Sequence, residues 1–295
     1  MKPPADHHEG HATRPLAFVL NLDAEHELEA GARWTIPTAL AQRLDAIAHE
    51  VRLPDRAILV HPGRAIPEGY EARLWCPTPR AVASARSHGL HLDDAPATEI
   101  VRRVNERGFA AQLVIGELEP TLVATRMGEV ETFVATPSPT GRWRLKKGLG
   151  ASGRGQRTIA SGALSLEDRG WITRALKFAP LYLEPEITIE KELCVYGWAR
   201  RDRGVELTGL RAQTTDSRGK FERSGRIDDD DCLGFASPLR ARAEAVGHAL
   251  LEAGYFGPFG IDAYVHRTER GARVLRSLSE INARYCMGWD ERDGF

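Results

Sequence analysis

The sequence predicts a small α/β domain followed by a larger α+β domain of two lobes, antiparallel sheets with helices. Three observations predict it. Up to about residue 115, short apolar runs alternate with segments of helical apolar spacing, the pattern of a small parallel α/β layer. Beyond that point strand-like runs dominate, and a loop rich in glycine and lysine interrupts them at 146–157. Near the end of the chain, two strand-like runs joined by a short polar turn read as an antiparallel hairpin. The division expected is a tail over 1–14, the α/β domain over 15–115 and the second domain over 116–295, its lobes covering approximately 116–190 and 191–295.

Each element has its own signal. Residues 1–14 are polar and proline-flanked, with His7, His8, Glu9 and His11 among them, and read as a mobile tail that binds metal adventitiously at most. Residues 16–22 (LAFVLNL) suit a buried strand. Residues 37–49 carry Leu40, Leu44 and Ile47 at helical spacing, and 57–60 form a second apolar run closed by Pro62 and Gly63. Helices are expected over 80–88 and 97–105 and a strand over 110–115. Residues 142–147 read as a strand entering the glycine-rich loop. Ser165 stands three residues before Asp168, a capping-box pattern that opens a helix running to Leu176. Strands are expected over 181–183, 192–198 and 205–211, and 214–232 reads as a polar mobile loop. In the helix expected over 237–254, Ser237 is the N-cap, Pro238 takes the first position and Gly254 the stop. Leu239, Ala243, Val246 and Leu250 form its apolar stripe. The runs 260–266 and 273–281, joined by 267–272, make the hairpin.

Composition narrows the function. Of 295 residues, 42% are hydrophobic and 27% charged, which places the chain among ordinary globular proteins. A net charge of -1 gives no overall field toward nucleic acid or anionic membranes, and neither is expected as a partner. The N-terminal stretch lacks the apolar core of a signal peptide and no run approaches a membrane span, so a cytoplasmic location is expected. Cys76, Cys194, Cys232 and Cys286 lie far apart with no CxxC pair, as in a reduced protein.

Three segments carry chemistry. In 146–157 (KKGLGASGRGQR), two lysines, two arginines and four glycines fall together, in a chain with few lysines. Glycines let backbone N–H groups approach a phosphate and lysine supplies compact charge, so the segment is either an anion site or a flexible basic linker. It fits neither the P-loop nor the dinucleotide-binding pattern. In the hairpin, Glu280 and Asn282 are two apart and share a face that Asp262 reaches from the other strand. Two carboxylates and an amide oxygen suit magnesium; the alternative is a solvated strand with cross-strand ion pairs. Arg284 is expected to follow on that face. Third, 183–187 (LEPEI) with 192–195 (ELCV) is an apolar strand that ends in a carboxylate, turns and resumes.

In this order the three segments resemble the ATP-grasp superfamily, over roughly residues 115–295. The spacing of Lys146 to Arg154-Gly155 is similar to that of the biotin carboxylase loop, and Glu192-Leu193-Cys194-Val195 resembles the corresponding strand of D-alanine–D-alanine ligase. Glu280-Ile281-Asn282-Ala283-Arg284 matches the E-x-N-x-R signature. The resemblance implies that ATP lies between two lobes, held by Lys146, Lys147, Gly150, Ser152, Gly153, Arg154 and Gly155. Glu184 and the backbone of Ile187 would hold adenine, and Glu192 the ribose. Asp262, Glu280 and Asn282 would bind magnesium, two ions, with manganese as the alternative metal. The family's additional early lysine is missing, since none occurs between Lys2 and Lys146; Arg103, Arg126 and Arg144 are the candidates to replace it. With 11 residues after Arg284, no carboxyltransferase or carrier domain is expected here.

The activity so implied is an ATP-dependent ligase that joins a small-molecule or peptide carboxylate to an amine or thiol through an acyl phosphate. Lys146 would act on the phosphates and Arg284 or Arg211 on the oxyanion, with 214–232 as a lid. Asp228–Asp231 read as a solvated acidic turn or as an attractor for a cationic amine. Asn21, Asp23, His61 and Arg64 follow strand ends where α/β ligands bind. Direct phosphotransfer to another acceptor and a non-catalytic nucleotide-binding regulator are the competing readings, and a homodimer is left open.

Overall fold

The computed structural model describes residues 14–48, 51, 53–54, 57–61, 63–114, 116–150, 155–215, 221–268 and 270–289. A three-stranded parallel sheet opens the chain, with β1 (Leu16–Val19) between β2 (Ile58–Leu59) and β3 (Glu71–Leu74). Around it lie α1 (Ala24–Ala30), α2 (Thr38–Ala48) and α3 (Pro79–Ser87). β1 is apolar on both faces because each face serves a different core. Ala17 and Val19 pack with Ala81 and Ala85 of α3, while Phe18 joins the main core beside Tyr285.

Helices α4 (Thr98–Asn105) and α5 (Arg107–Gln112) lead out of this layer. The strand expected over 110–115 is thus corrected to a helix. Phe109, Ala110, Leu113 and Val114 recur at helical spacing and pack in the main core, and alanine favours the helix.

A four-stranded antiparallel sheet follows, in the order β4 (Leu122–Ala124), β7 (Leu181–Pro185), β5 (Arg142–Lys147), β6 (Gln156–Ala160). The helices α6 (Met127–Ala135) and α7 (Leu166–Leu176) cover one face, burying Val130, Val134, Ile172 and Ala175 against Trp143, Leu145, Leu181 and Leu183. Strand alternation turns Arg144, Lys146, Tyr182 and Glu184 to the opposite face. Ser165 caps α7, its hydroxyl accepting from the Asp168 N–H at 3.1 Å, as its spacing predicted.

The largest sheet has five antiparallel strands, ordered β10 (Phe221–Arg226), β9 (Gly204–Thr215), β8 (Ile189–Arg200), β11 (Gly257–Arg267), β12 (Arg273–Asn282). Part of the loop expected over 214–232 is therefore strand: β10 pairs back along β9, and a 3-10 turn covers Asp229–Cys232. The helix α8 (Ala236–Glu252) packs its Leu239, Ala243, Val246 and Leu250 stripe under Leu193, Val195, Ile261 and Val265. It starts at Ala236 after Phe235 rather than at a Ser237 cap, because its packing face, not a side-chain cap, sets its start. The other face of this sheet is polar and looks toward the cleft face of the four-stranded sheet. Arg276 of β12 donates to the Tyr182 hydroxyl of β7 at 2.9 Å across the space between them. No helix among the described residues is long and apolar enough to cross a membrane.

Candidate nucleotide and metal site

On β5 and β7 the face turned from α6 and α7 carries Lys146 and Glu184, which form an ion pair. Both are almost wholly buried, at 4% and 2% exposure, so each charge depends on the other. Burial pushes the Lys146 ammonium below its ordinary range, the Arg107 charge pushes the same way, and Glu184 opposes both. The second oxygen of Glu184, Oε2, is buried with no hydrogen-bond partner among the described residues. A buried carboxylate oxygen without a donor marks a place for a donor from outside the chain.

The β5–β6 connection begins at Gly148, where a Cβ would lie 3.0 Å from the Ala179 Cβ and 3.2 Å from the Pro180 carbonyl, so any larger residue would have to push these neighbours back. Leu149 anchors the loop in the main core, Gly150 is half-buried, and the Lys147 N–H donates to the Gly155 carbonyl at 2.8 Å to close it. Ser152, Gly153 and Arg154 lie outside the described residues. Lys147 stands apart from Lys146, its ammonium 3.4 Å from Glu29 of α1. Ile187 is half-buried in the short link between β7 and β8.

Across the five-stranded sheet one row of directly opposed residues runs Arg226, Arg211, Cys194, Asp262, Glu280, from β10 to β12. Directly opposed residues share a face, so two arginines and two carboxylates lie on one surface with a thiol between them. Asn282 donates its amide to Asp262 at 3.0 Å. Glu192 sits one row away, opposite Tyr264. Burial, and then the Glu280 charge, push the Asp262 carboxyl up to about 7, against the Asn282 hydrogen bond and the Arg284 charge. Burial likewise raises the Cys194 thiol, to about 12, so it stays neutral. Arg211 is buried with its guanidinium 5.1 Å from the Tyr196 ring centroid.

Arg284 does not stay on the Asn282 face. The chain leaves the sheet after β12, and Arg284 donates from Nε to Glu25 of α1 at 2.6 Å and from Nη1 to the Tyr285 carbonyl.

The structure adds one residue that the sequence reading missed. Arg107 opens α5, is 5% exposed, and donates to Glu280 at 2.7 Å and to the Lys147 carbonyl at 2.9 Å; its N–H bonds the Gly148 carbonyl. It thereby joins the glycine-rich loop to the carboxylate face. The three arginines considered for the missing lysine are engaged elsewhere. Arg103 bonds the Ala253 carbonyl, Arg126 pairs with Glu129, and Arg144 is bidentate to Glu186. Arg107 carried a signal of its own, a charge set among the apolar positions Val101, Val104, Ala110 and Val114. Next to it, Asn105 accepts from the Ala283 N–H at 2.9 Å and pins the turn that follows β12.

Among the described residues no three His, Cys, Asp or Glu side chains converge as a metal site. Asp262, Glu280 and Asn282 present two carboxylates and an amide oxygen. Hard oxygen donors of this kind suit a hard divalent cation.

No family model matches the sequence, and no curated protein matches it. Solved structures do match in fold. D-alanyl-alanine synthetase A from Vibrio cholerae aligns over 96% of this chain and 95% of its own, with a TM-score of 0.53 and 11% identity. Biotin carboxylase from Campylobacter jejuni, solved with an ATP analogue, aligns over 93% and 66%, at a TM-score of 0.53 and 15% identity. N5-carboxyaminoimidazole synthetase from Staphylococcus aureus, solved with ADP, aligns over 92% and 71%, at 0.50 and 9%.

Proposed function

From the ATP-grasp fold that these structures share with the chain, we propose that the protein is an ATP- and magnesium-dependent carboxylate–amine ligase that works through an acyl phosphate. The observation that carries the reading is the cross-strand set of Asp262, Glu280 and Asn282, joined through Arg107 to the glycine-rich loop. Asp262, Glu280 and Asn282 would hold magnesium, which supplies positive charge to the phosphates when bound.

The remaining roles follow from the side chains. Glu184, with its orphaned oxygen, accepts from the adenine amino group, and the backbone of Ile187 lies beside the same ring. Glu192 takes the ribose hydroxyls. Lys146 and Arg107 bring two buried cations toward the phosphates, and the loop N–H groups from Gly148 to Gly155 add neutral donors. Ser152, Gly153 and Arg154 belong to the same cradle in this proposal, and Lys147 joins it only by exchanging Glu29 for phosphate. An oxygen of the substrate carboxylate attacks the γ-phosphorus and the bond to ADP breaks. An amine then attacks the carbonyl carbon, phosphate leaves, and the amine proton passes to solvent. Arg211, in the row that carries Asp262 and Glu280, is the group for the tetrahedral oxyanion, with Arg284 as a second candidate. For Arg284 this requires exchange of Glu25 for the substrate. The β9–β10 hairpin is the cover that keeps water from the acyl phosphate. The substrates are a small-molecule or peptide carboxylate and an amine, and the compartment is the cytoplasm.

The non-catalytic reading leaned on the missing early lysine, and a buried arginine at the loop weakens it. Incubation with ATP, magnesium, hydroxylamine and pooled carboxylates tests the proposal. A hydroxamate together with ADP is expected. A phosphorylated product without hydroxamate makes the protein a phosphotransferase, and stoichiometric nucleotide binding without turnover makes it a regulator.

A further inference from the structure

A cavity of about 390 Å³ lies where β3 and residues 92–96 meet the far ends of β8 and β11. It is separate from the nucleotide cleft. Its wall residue Pro258 stands four positions before Asp262 on β11, roughly 13 Å along the strand. Between the two, Tyr196, Trp198, Tyr285 and Trp289 form one aromatic cluster, with ring centroids 5.4 to 5.8 Å apart.

The lining is sorted by chemistry. Leu74, Leu92, Pro96 and Trp198 are apolar walls. Arg73 and Arg200 bring cations, and Tyr285 a hydroxyl that both of them influence. Burial keeps that phenol protonated far above neutral pH, so it remains an O–H donor. Arg73 pairs with Glu71 through Nη1 and with Asp93 at 4.0 Å, and only its Nε is buried without a hydrogen-bond partner among the described residues. Cation–π contacts hold Arg200, 4.6 Å from the Trp198 centroid, and a third guanidinium, that of Arg201, 3.5 Å from the Phe256 centroid. Carboxylates occupy the rim, where Asp93 and Asp94 are largely exposed and Asp94 pairs with Arg201 at 2.6 Å.

We propose that this cavity is a second ligand site, for a free α-amino acid with an apolar or aromatic side chain. Its carboxylate meets Arg73, its ammonium meets the Asp93–Asp94 rim, and its side chain lies against Leu74, Leu92 and Trp198. Donors deep and carboxylates at the mouth match a zwitterion, which a purely anionic or cationic ligand does not use fully. The occupant acts as an effector. Tyr285 follows Arg284 directly, and its carbonyl accepts from the Arg284 guanidinium, so a ligand resting on Tyr285 bears on Arg284.

Direct titration of the whole chain with the free amino acids, without nucleotide, tests this. Saturable binding of one or more apolar amino acids is expected. N-acetylation of the ligand, or Arg73→Gln, weakens that binding at least about tenfold. Asp94→Asn on the rim, or Pro96→Trp to fill the cavity, serves where Arg73→Gln does not fold. ATP affinity stays unchanged in each variant. Failure of every amino acid to bind at up to about ten times a millimolar Kd overturns the proposal. So does binding that survives both Arg73→Gln and Pro96→Trp, equal binding of the N-acetyl form, or displacement of the amino acid by ATP.

Discussion

Buried charge is the organising feature at the residue scale. Lys146 and Glu184 are tied together where water cannot reach either. Glu184→Ala is expected to strand the ammonium and cost about 3–5 kcal/mol of stability, read from the urea midpoint. The double change Lys146→Met with Glu184→Leu restores most of that stability and still binds no ATP in a calorimetric titration. Asp262 behaves in the opposite sense. Burial first and then the Glu280 charge push its carboxyl up to about 7, so Asp262→Asn removes a charge that is costly to bury and repelled, and leaves the melting temperature equal or higher. Loss of groups that merely orient metal ligands costs about 10–100-fold, so the same variant is expected to lose at least about 100-fold in ATP turnover. A variant that melts early, or one that keeps full turnover, removes Asp262 from the metal site. The shared face of Glu280 and Asn282 was legible from their spacing of two on a strand, with Asp262 across the hairpin, whereas Lys146 and Glu184 were singled out by composition and resemblance. Arg107 showed only as a charge among apolar helical positions, and its role was not legible, since its partners lie 40 and 173 residues away.

The elements differ in how their ends and faces are held. α6 follows Arg126, and Glu129 in its first turn accepts from the Thr125 N–H at 2.7 Å and from the Arg126 guanidinium. These bonds lower the Glu129 carboxyl from 4.5 to about 2. A depressed carboxyl means that the unfolded chain binds more protons, so the stabilisation is complete above about pH 4.5 and is lost as pH falls toward 2. Thermal melts over that window are expected to show a shallower acid slope in Glu129→Gln than in the parent. In α8, Gly247 lets the helix sit down on the sheet, because a Cβ there would meet both Val205 methyl carbons at 2.5 and 2.7 Å. Gly247→Ala is expected to cost about 1–3 kcal/mol by overpacking, again read from the urea midpoint. Long elements with a clean period were read correctly, as α7, α8 and the β11–β12 hairpin show. β3, β4, β6, α1 and α6 were missed and α5 was read as a strand. Each of these is nine residues or fewer, too short for its own periodicity to outweigh its surroundings.

At the scale of the whole molecule, side chains from three helices, α1, α4 and α5, hold the site together. Arg107 bridges the loop of the four-stranded sheet to β12, Asn105 pins the turn beyond it, and Glu25 and Glu29 of α1 hold Arg284 and Lys147. A ligand that spans these parts binds only the assembled form. ATP with magnesium at about 100 times its Kd is therefore expected to add about 2.7 kcal/mol and raise the melting temperature by roughly 5 °C. The shift is expected to shrink sharply in Asp262→Asn, and calorimetric scans with and without nucleotide check it.

By itself the sequence determined the strand-borne chemistry. Alternation along a strand is a local property, so the common face of Glu280 and Asn282 follows from the order of residues. The tertiary structure alone decided which charges meet. It gave Arg107 to Glu280, took Arg284 to Glu25 and Lys147 to Glu29, and stacked Arg200 and Arg201 over rings at the second cavity. The reason is physical: a buried charge must find a partner, and the partner is chosen by which segments the cores bring together, often more than a hundred residues apart.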